Sequence, residues 1–315
     1  MRTGAGAGRS GYVHEAVCYD SDEHLLAVVV PFLLGGVAAG EPTLVSFGER
    51  NAALVAAALP PGCPVTFLTG GDVYARPAGA IRAYRTLLAD HMVTGAAQIR
   101  IVGELGREQL GDSWDWWARY ESAINYAYDE YPLWSMCAYD TRATPAAVLA
   151  DVRRTHPTTA GPRERHTANA EYTGPETFLL ENRPEAADPL QRHAPAADVA
   201  DVAPDAARRI VRAVGEGRVG PAKLDDLTLA VSEIVANAHR YGRPPVRVRV
   251  WAADGRVVVT VDDAGPGPKD PFAGLLAAPS ERSAGFGLWI THQVCDHVSL
   301  QRTPDGFALR MTVGG

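Results

Sequence analysis

The feature that most constrains the fold is a regular alternation of short apolar runs with helical patterns between Tyr12 and about His156. This alternation is typical of βα units around a mostly parallel sheet. We therefore predict an α/β domain with a doubly wound sheet in the first part of the chain. Its strands are predicted at 13–19, 43–47, 65–69, 98–103 and 134–139, and its helices near 22–39, 51–59, 78–92, 114–130 and 144–154.

The uncharged stretch 25–40 (LLAVVVPFLLGGVAAG) is shorter than the roughly 20 residues that a membrane span needs, and acidic residues precede it. With Ser21 as the N-cap and Gly40 as the stop, we predict a buried helix, which Pro31 can kink. We expect no membrane segment. The four cysteines include no C-x-x-C pair, which fits a reducing, cytoplasmic location.

The composition also restricts the partners and the number of domains. A formal net charge of -7 has the wrong sign for binding nucleic-acid phosphates, so no direct nucleic-acid partner is expected. The 315 residues suffice for about two domains. The first domain is predicted over 10–180, a proline-rich linker over 181–200 and the second domain over 201–315. A short helix or strand near 177–180 is expected to dock onto the first domain.

After about residue 200, helices come first and antiparallel hairpins follow, which predicts an α+β layer. Helices are expected at 203–217 and 224–241. One hairpin joins 246–250 to 257–261 through Asp254-Gly255, and a second joins 297–303 to 307–313.

Three short motifs follow one another in this second part. On the helix 224–241, an apolar stripe leaves Glu233 and Asn237 on the opposite face, one turn apart. The strand 257–261 then runs into 262–267 (DDAGPG), whose glycines let backbone approach a ligand closely. Finally, 285–288 (GFGL) opens the helix 288–295, where free N–H groups and the helix dipole favour phosphate.

Taken singly, each motif has an ordinary structural explanation: a solvated helix face, a surface turn and a helix start. Glu121 and Asn125 have the same spacing as Glu233 and Asn237, on a helix of the first domain that has no companion motif. The spacing alone therefore predicts nothing, and the prediction depends on the order of the three motifs.

In this order the motifs make residues 223–315 resemble the Bergerat-type (GHKL) ATPase fold of gyrases, heat-shock chaperones, histidine kinases and anti-sigma factor serine kinases. The resemblance is greatest to the last group, which is common in actinobacteria. The segment 232–238 (SEIVANA) resembles the N box, 263–267 (DAGPG) the first glycine box and 285–289 (GFGLW) the second. The implied fold is a histidine-kinase-like ATPase α/β sandwich.

The resemblance implies ATP and Mg²⁺ as cofactors. It makes Asn237 the Mg²⁺ ligand, Glu233 the general base, and Asp263 the acceptor of a hydrogen bond from the adenine amino group. Gly265 and Gly267 would give backbone clearance beside the adenine, Gly285 and Gly287 would contact the phosphates, and residues 268–284 would form a lid. Two departures are Tyr241, where the family often has His, and Phe286 between the glycines of the second box. The implied nucleotide contacts are Asn237, Asp263, Gly265, Gly267, Gly285, Phe286, Gly287 and Leu288.

The first domain, over roughly 10–180, resembles the MEDS sensory domain through 14–19 (HEAVCY), 31–41 (PFLLGGVAAGE) and 137–140 (CAYD). This implies a RecA-like parallel sheet that senses an unidentified effector and does not hydrolyse ATP, and indeed no P-loop motif occurs. His14, Cys18 and Cys137 could converge on a ligand or metal, although buried cysteines and a hydrogen-bonded histidine are the commoner outcome. The aromatic helix with Trp114 predicts core packing or, alternatively, an effector pocket.

Together the resemblances imply a cytosolic signalling regulator, an Mg²⁺-ATP-dependent serine/threonine protein kinase of the anti-sigma factor type under sensory control. They imply a STAS-type anti-sigma factor antagonist and a sigma factor as partners, and leave a homodimer open. One alternative is an ATP-binding or nucleotide-free module that sequesters a partner without phosphotransfer. Another, a degenerate sensor histidine kinase, is disfavoured because proline-rich sequence stands where the dimerising helical hairpin belongs. Gyrase-like and chaperone-like proteins are not expected, because they need large domains after the ATPase domain.

Overall fold

The computed structural model describes residues 1–68, 76–183, 185–277 and 286–314. The chain divides into two compact units, the first comprising Met1–Tyr74 and Ala80–Leu179, the second Ala75–Gly79 and Leu180–Gly315. The first unit contains a parallel-rich sheet and the second a separate antiparallel sheet. The predicted mixture of an α/β part with an α+β part is confirmed at this level.

The described residues of the first unit form a seven-stranded sheet. Its strands are β1 (Val13–Tyr19), β2 (Thr43–Ser46), β3 (Thr66–Phe67), β4 (Ile99–Gly103), β5 (Leu133–Asp140), β6 (Thr158–Gly161) and β7 (Arg165–Ala168). Their order is β3-β2-β4-β5-β1-β6-β7, and every pair is parallel except β6 with β7. The predicted strands are present, whereas β6 and β7 were not predicted because they are short, half-exposed and free of any apolar run.

Helices surround this sheet where the periodicity predicts them. They are α1 (Asp22–Ala38), α2 (Glu49–Ala58), α3 (Pro77–Val93), α4 (Trp114–Ala127), α5 (Ala146–Thr155) and α6 (Pro175–Phe178). Ser21 caps α1 by accepting a hydrogen bond from the His24 amide at 3.1 Å, and Pro31 lies inside this largely buried helix. No helix among the described residues is long and apolar enough to cross a membrane.

In the described residues of the second unit, three α-helices lie beside a five-stranded sheet. The helices are α7 (Pro204–Gly215), α8 (Pro221–Tyr241) and α9 (Phe286–Val294), and the strands are β8 (Ala197–Ala200), β9 (Arg247–Ala253), β10 (Arg256–Asp263), β11 (His297–Thr303) and β12 (Gly306–Gly314). The order β11-β12-β10-β9-β8 is antiparallel throughout. Both predicted hairpins are present, and Gly255 supplies the positive φ of +79° that the β9–β10 turn requires.

Part of the segment predicted as a linker, 181–200, contributes to the second unit. Its end forms the edge strand β8, which pairs with β9. Asp188 caps a short 3-10 turn and also accepts a hydrogen bond from Arg256 at 2.6 Å. Hydrogen bonds and β pairing order this stretch, and these leave no trace in its hydrophobic pattern.

The core of the second unit lies between α7, α8 and one face of the sheet. The apolar stripe predicted on α8 is buried there, together with valines of β9 and β10. This packing fixes the rotation of α8, because the stripe cannot turn toward solvent without exposing apolar surface. The stripe consists of Leu224, Leu227, Val231, Ile234, Val235 and Ala238.

Candidate functional site

Glu233 and Asn237 are carried by α8 outside its buried stripe, as the periodicity predicts. Both side chains are half-buried. Among the described residues, neither makes a side-chain hydrogen bond or an ion pair. A carboxylate and a carboxamide one helical turn apart are thus available for contacts with another molecule.

The start of α9 approaches this pair through Gly287. A Cβ at Gly287 would come within 2.7 Å of Glu233 Oε2 and 3.3 Å of Asn237 Nδ2, so only a glycine leaves both side chains in place. Phe286 turns its ring onto Trp289, with ring centroids 5.6 Å apart. The segments that resemble the N box and the second glycine box therefore meet at Gly287, while Gly285 lies outside the described residues.

Asp263 is the last residue of β10, and backbone amides hold its half-buried carboxylate. Its Oδ1 accepts hydrogen bonds from Gly265 N at 2.6 Å and from Arg243 N at 3.2 Å. A Cβ at Gly265 would come within 2.6 Å of this oxygen, and a Cβ at Gly242 within 2.5 Å of Asp263 Cγ. Among the described residues Oδ2 has no hydrogen-bond partner, so one oxygen orients the group and the other is free to accept.

A cavity of about 440 Å³ lies beside this carboxylate. Its apolar walls come from α8, β10, β12 and the start of α9, and Asp263 is accompanied there by Asn237, Lys269 and Asp270. Gly267, at φ +74°, lies against the Phe307 ring, where a Cβ would come within 2.8 Å of Phe307 Cε2. An apolar pocket with one oriented acceptor suits a flat heterocycle that carries an amino group. The apolar wall includes Ile234, Ala238, Val261, Leu288, Phe307 and Leu309.

The structure brings most of the predicted site residues together, although their roles stay predictions. Asn237, Asp263, Gly267 and Leu288 line the cavity. Gly265 supports Asp263 from behind, and Glu233 lies next to Asn237 at Gly287. Of the predicted lid, the described part, 268–277, contributes Pro268, Lys269, Asp270 and Ala273 to the cavity, and 278–284 lie outside the described residues.

Two residues near the end of α8 lie at an exposed helix end. His239 is exposed, and its Nε2 lies 2.9 Å from the carbonyl oxygen of Val202. Arg240 lies over the ring of Tyr241. Neither lines the cavity, whereas Tyr241 does.

Sequence reasoning missed several parts of the site. Gly242 follows α8, where a glycine ordinarily signals a helix end, and its clearance for Asp263 depends on a loop contact that no local pattern shows. Phe307 and Leu309 belong to the second predicted hairpin, but only the pairing of β12 with β10 brings them to Asp263 and Val261. Tertiary pairing therefore builds one wall of the cavity.

The first unit separates the residues that the sequence grouped as a candidate ligand site. His14 Nε2 lies 3.4 Å from Cys137 Sγ, whereas Cys18 is exposed and takes no part. Trp114, Trp116 and Trp117 of α4 are buried, which agrees with core packing.

Comparison with protein families supports both halves of this description. The profile of MEDS, the MEthanogen/methylotroph, DcmR sensory domain, matches residues 13–157. The profile of the histidine kinase-like ATPase domain matches residues 196–313. The chain joins a MEDS domain to a histidine kinase-like ATPase domain. A sensory domain coupled to a kinase-type ATPase domain is an arrangement suited to signalling.

Individual relatives share shorter stretches with the chain. The signal transduction histidine-protein kinase AfsQ2 of Streptomyces coelicolor is 30% identical over an alignment of 110 residues, and the match covers 30% of this chain. The match spans only 20% of that relative's length.

Two solved structures of histidine kinases are also similar to part of the chain. The histidine kinase domain of the E. coli osmosensor EnvZ is 21% identical, with 39% of this chain and 90% of that chain covered and a TM-score of 0.23. The Acinetobacter baumannii histidine kinase AdeS is 13% identical, with 44% and 73% covered and a TM-score of 0.21. At such TM-scores these likenesses add nothing to the family matches.

Proposed function

We propose that the second unit binds ATP with Mg²⁺ and acts as a serine/threonine protein kinase of the anti-sigma factor type, controlled by the MEDS domain. The observation that carries the proposal is the meeting of Glu233, Asn237 and Gly287 beside a cavity that ends on Asp263. Catalytic and nucleotide-binding groups need such proximity, because transfer requires the attacking group and the phosphate in one place.

The residues present fit the nucleotide. The free Oδ2 of Asp263 can accept a hydrogen bond from the exocyclic amine of adenine, while the apolar walls of the cavity cover the ring. A side chain at position 265 or 242 would collide with that carboxylate, so both positions need glycine. Asn237 lines the same cavity and offers a carboxamide oxygen, a ligand that Mg²⁺ accepts.

Glu233 supplies the proton acceptor in this proposal. Its carboxylate has no hydrogen bond or ion pair among the described residues, so it is free to take the proton from a serine or threonine hydroxyl as that oxygen attacks the terminal phosphate. Mg²⁺, when bound, neutralises charge on the phosphate oxygens. The remaining contribution of the chain is to orient the nucleotide through Asp263 and to admit it past Gly287.

The partners follow from the same resemblance. We propose a STAS-type anti-sigma factor antagonist as the phosphorylated protein and a sigma factor as a second ligand, both in the cytoplasm. We also propose that the first unit is a RecA-like sheet without a P-loop that responds to an effector. Its open, mostly parallel sheet with one antiparallel edge strand supports this assignment.

One alternative, a degenerate sensor histidine kinase, gains support from the similarity to AfsQ2. The described residues between α5 and α7 argue against it. They form short strands, a 3-10 turn and the four-residue helix α6, rather than a long helical hairpin that could carry a phosphoacceptor histidine. A partner-sequestering module without phosphotransfer shares every feature of the site, so experiment must distinguish it.

The first test is calorimetric titration of Mg²⁺-ATP into the wild-type chain, Asp263→Asn and the matched control Asp262→Asn. Asp262 is adjacent on β10 but pairs with Arg249 at 2.7 Å and does not line the cavity. We expect wild type and control to bind alike and Asp263→Asn to bind about 10–100-fold more weakly, because a hydrogen bond to a charged group is lost. Absence of binding by the wild type would exclude the kinase.

The second test follows labelled phosphate from ATP to protein. Acid-stable label on a serine or threonine of a partner supports the proposal. Acid-labile label on a histidine of this chain supports the histidine kinase instead. Nucleotide binding without label on any protein supports the sequestering module.

A further inference from the structure

Four side chains that can ligate metals converge inside the first unit, far in sequence from the nucleotide motifs. They come from β1, α4, β5 and the residue after α5: His14, Glu121, Cys137 and His156. Their ligating atoms all lie within 4.8 Å of one another. His14 and Glu121 are 1% exposed and His156 is 0% exposed, while Cys137 is half-buried, so three of the four side chains are shielded from solvent.

The sheet register and the helix spacing explain the convergence. Parallel pairing sets Cys137 opposite Ala16, two residues from His14 on the same face of β1. Glu121 and Asn125, one turn apart on α4, both reach this face, since Glu121 Oε2 lies 3.4 Å from His14 Nε2 and Asn125 Oδ1 lies 3.0 Å from His14 Nδ1.

The imidazole of His14 is held with a lone pair toward the centre of the cluster. The two hydrogens of the Asn125 amide nitrogen are directed at three backbone carbonyl oxygens, one of them shared, which fixes Oδ1 as the atom that faces His14 Nδ1. Nδ1 must then carry the proton, and Nε2 is left as an acceptor. This Nε2 faces Cys137 Sγ at 3.4 Å.

The imidazole of His156 is held in the same way. Its Nδ1 donates to the backbone carbonyl of Val152 at 2.9 Å, so in the neutral ring Nε2 is unprotonated. Nε2 is fully buried and has no hydrogen-bond partner among the described residues. It lies 3.5 Å from Glu121 Oε2. A buried nitrogen acceptor beside a carboxylate oxygen is unfavourable unless a proton or a cation lies between them.

The Glu121 carboxylate is oriented by its other oxygen. Tyr139 donates its hydroxyl hydrogen to Oε1 at 3.0 Å, which leaves Oε2 directed toward His14, His156 and Cys137. His14, His156 and Glu121 are thus each held by a hydrogen bond on the outer side and direct their other polar atom toward the centre of the cluster. This is the arrangement in which outer hydrogen bonds fix metal ligands.

We propose that the first unit binds one Zn²⁺ between His14 Nε2, Glu121 Oε2, Cys137 Sγ and His156 Nε2. Tetrahedral zinc with bonds of about 2.0–2.3 Å places its ligands about 3.3–3.8 Å apart. Four of the six separations match this spacing: 3.4 Å for His14 to Cys137 and to Glu121, 3.5 Å for His156 to Glu121 and 3.8 Å for Cys137 to Glu121. The mixed nitrogen, sulfur and oxygen set also suits zinc.

The protonation states agree with this role. Burial lowers the pKa of His14 to about 4 and that of His156 to about 3, so both rings are neutral and able to ligate near neutral pH. Burial and the neighbouring Glu121 carboxylate raise the pKa of the Cys137 thiol well above its usual range. The thiol therefore stays protonated without metal, and its proton leaves when the sulfur–zinc bond forms.

The test is titration of the metal-free full-length chain with Co²⁺, followed by competition with Zn²⁺. Co²⁺ reports its geometry through visible absorption, and a thiolate ligand adds a charge-transfer band. We expect one equivalent of tetrahedral Co²⁺ with the thiolate band, displaced stoichiometrically by Zn²⁺. In Cys137→Ser the thiolate band disappears, whereas the exposed Cys18→Ser keeps the wild-type spectrum.

A residue that holds a ligand by a hydrogen bond, without being a ligand itself, gives a second test. Asn125→Ala removes the acceptor that orients His14, and we expect it to weaken metal affinity by about 10–100-fold while keeping the thiolate band. Absence of a tetrahedral spectrum from the folded wild type, checked by circular dichroism, would overturn the proposal. So would a thiolate band that survives Cys137→Ser, because the ligand sulfur would then lie elsewhere.

Discussion

Helices α4 and α8 carry the same pair, a glutamate followed four residues later by an asparagine, in opposite surroundings. On α4, Glu121 is 1% exposed and Asn125 uses its amide for contacts with His14 and three carbonyls. On α8, Glu233 and Asn237 are half-buried and have no side-chain partners among the described residues. Spacing puts both members of each pair on one side of a helix, and the neighbouring elements decide what they do.

The two pairs differ in solvent exposure and in whether their polar atoms have hydrogen-bond partners inside the protein. Burial raises the pKa of the Glu121 carboxyl, and a buried group of this kind must be matched by internal partners. Glu233 is partly exposed to solvent and lies next to Gly287. It can therefore contact a substrate without leaving a buried polar group unpaired. The first pair is therefore directed at groups inside the first unit, and the second is accessible to another molecule.

The largest expected effect comes from Glu233→Gln. If Glu233 is the proton acceptor, phosphotransfer to the partner falls by about 10²–10⁴-fold. Nucleotide affinity should change little, because the adenine contact through Asp263 is untouched. Transfer is measured as labelled phosphate per minute at saturating Mg²⁺-ATP. Glu216→Gln, an exposed glutamate at the end of α7, is the control, and an equal loss in both variants would contradict the assignment.

The second largest effect is a loss of stability on substitution of Glu121, in the pair on α4. Glu121→Ala leaves the Tyr139 hydroxyl without its acceptor and opens a cavity, so we expect the free energy of unfolding to fall by about 3 kcal/mol. Urea unfolding followed by tryptophan fluorescence reports this, because Trp114, Trp116, Trp117 and Trp134 of the six tryptophans lie in the first unit. A chelator is present throughout, so that loss of metal does not contribute.

The matched control for Glu121→Ala is Glu233→Ala. At this half-exposed position we expect the free energy of unfolding to change by no more than about 0.5 kcal/mol. Equal destabilisation by the two substitutions would contradict the contrast between the pairs.

Much of this molecule could be predicted from sequence where local pattern and burial agree. The stripe of α8 and the hairpin through Gly255 follow from periodicity and turn chemistry, and the structure has both. The placement of Asn237 near Asp263 depended on the resemblance and on motif order, because no local rule connects a helix to a strand end.

The rest depends on contacts that leave no local signal. Sequence pointed to His14 and Cys137 but added the exposed Cys18, and took Glu121 only as a control for spacing. His156 marked only the approximate end of the alternating strand and helix patterns, although the turn after α5 buries it against His14, with ring centroids 4.0 Å apart. Sheet register and helix packing determine such clusters, and a single sequence does not specify either.

Asn125→Ala gives the third effect in order of size. Its amide serves three backbone carbonyls and one imidazole, and their loss should lower the stability of the first unit by about 2 kcal/mol. For a unit of this size that corresponds to about 4–8 °C in Tm, measured by calorimetry on the metal-free protein. Asn237→Ala should leave Tm within about 1 °C, since its side chain has no partner among the described residues. A large shift in Asn237→Ala would mean that this residue is structural.

The smallest effect, from Gly287→Ala, tests whether α9 positions the pair on α8. The new methyl group would come within 2.7 Å of Glu233 Oε2 and must displace it. A displacement of about 1 Å can cost as much as 100-fold in rate, but the Glu233 side chain is flexible, so we expect about 10-fold slower transfer. Gly220→Ala, at the start of α8 where a Cβ meets open space, should leave the rate unchanged. If Gly287→Ala transfers phosphate at the wild-type rate, then Glu233 need not lie beside α9, and the base must act from another position.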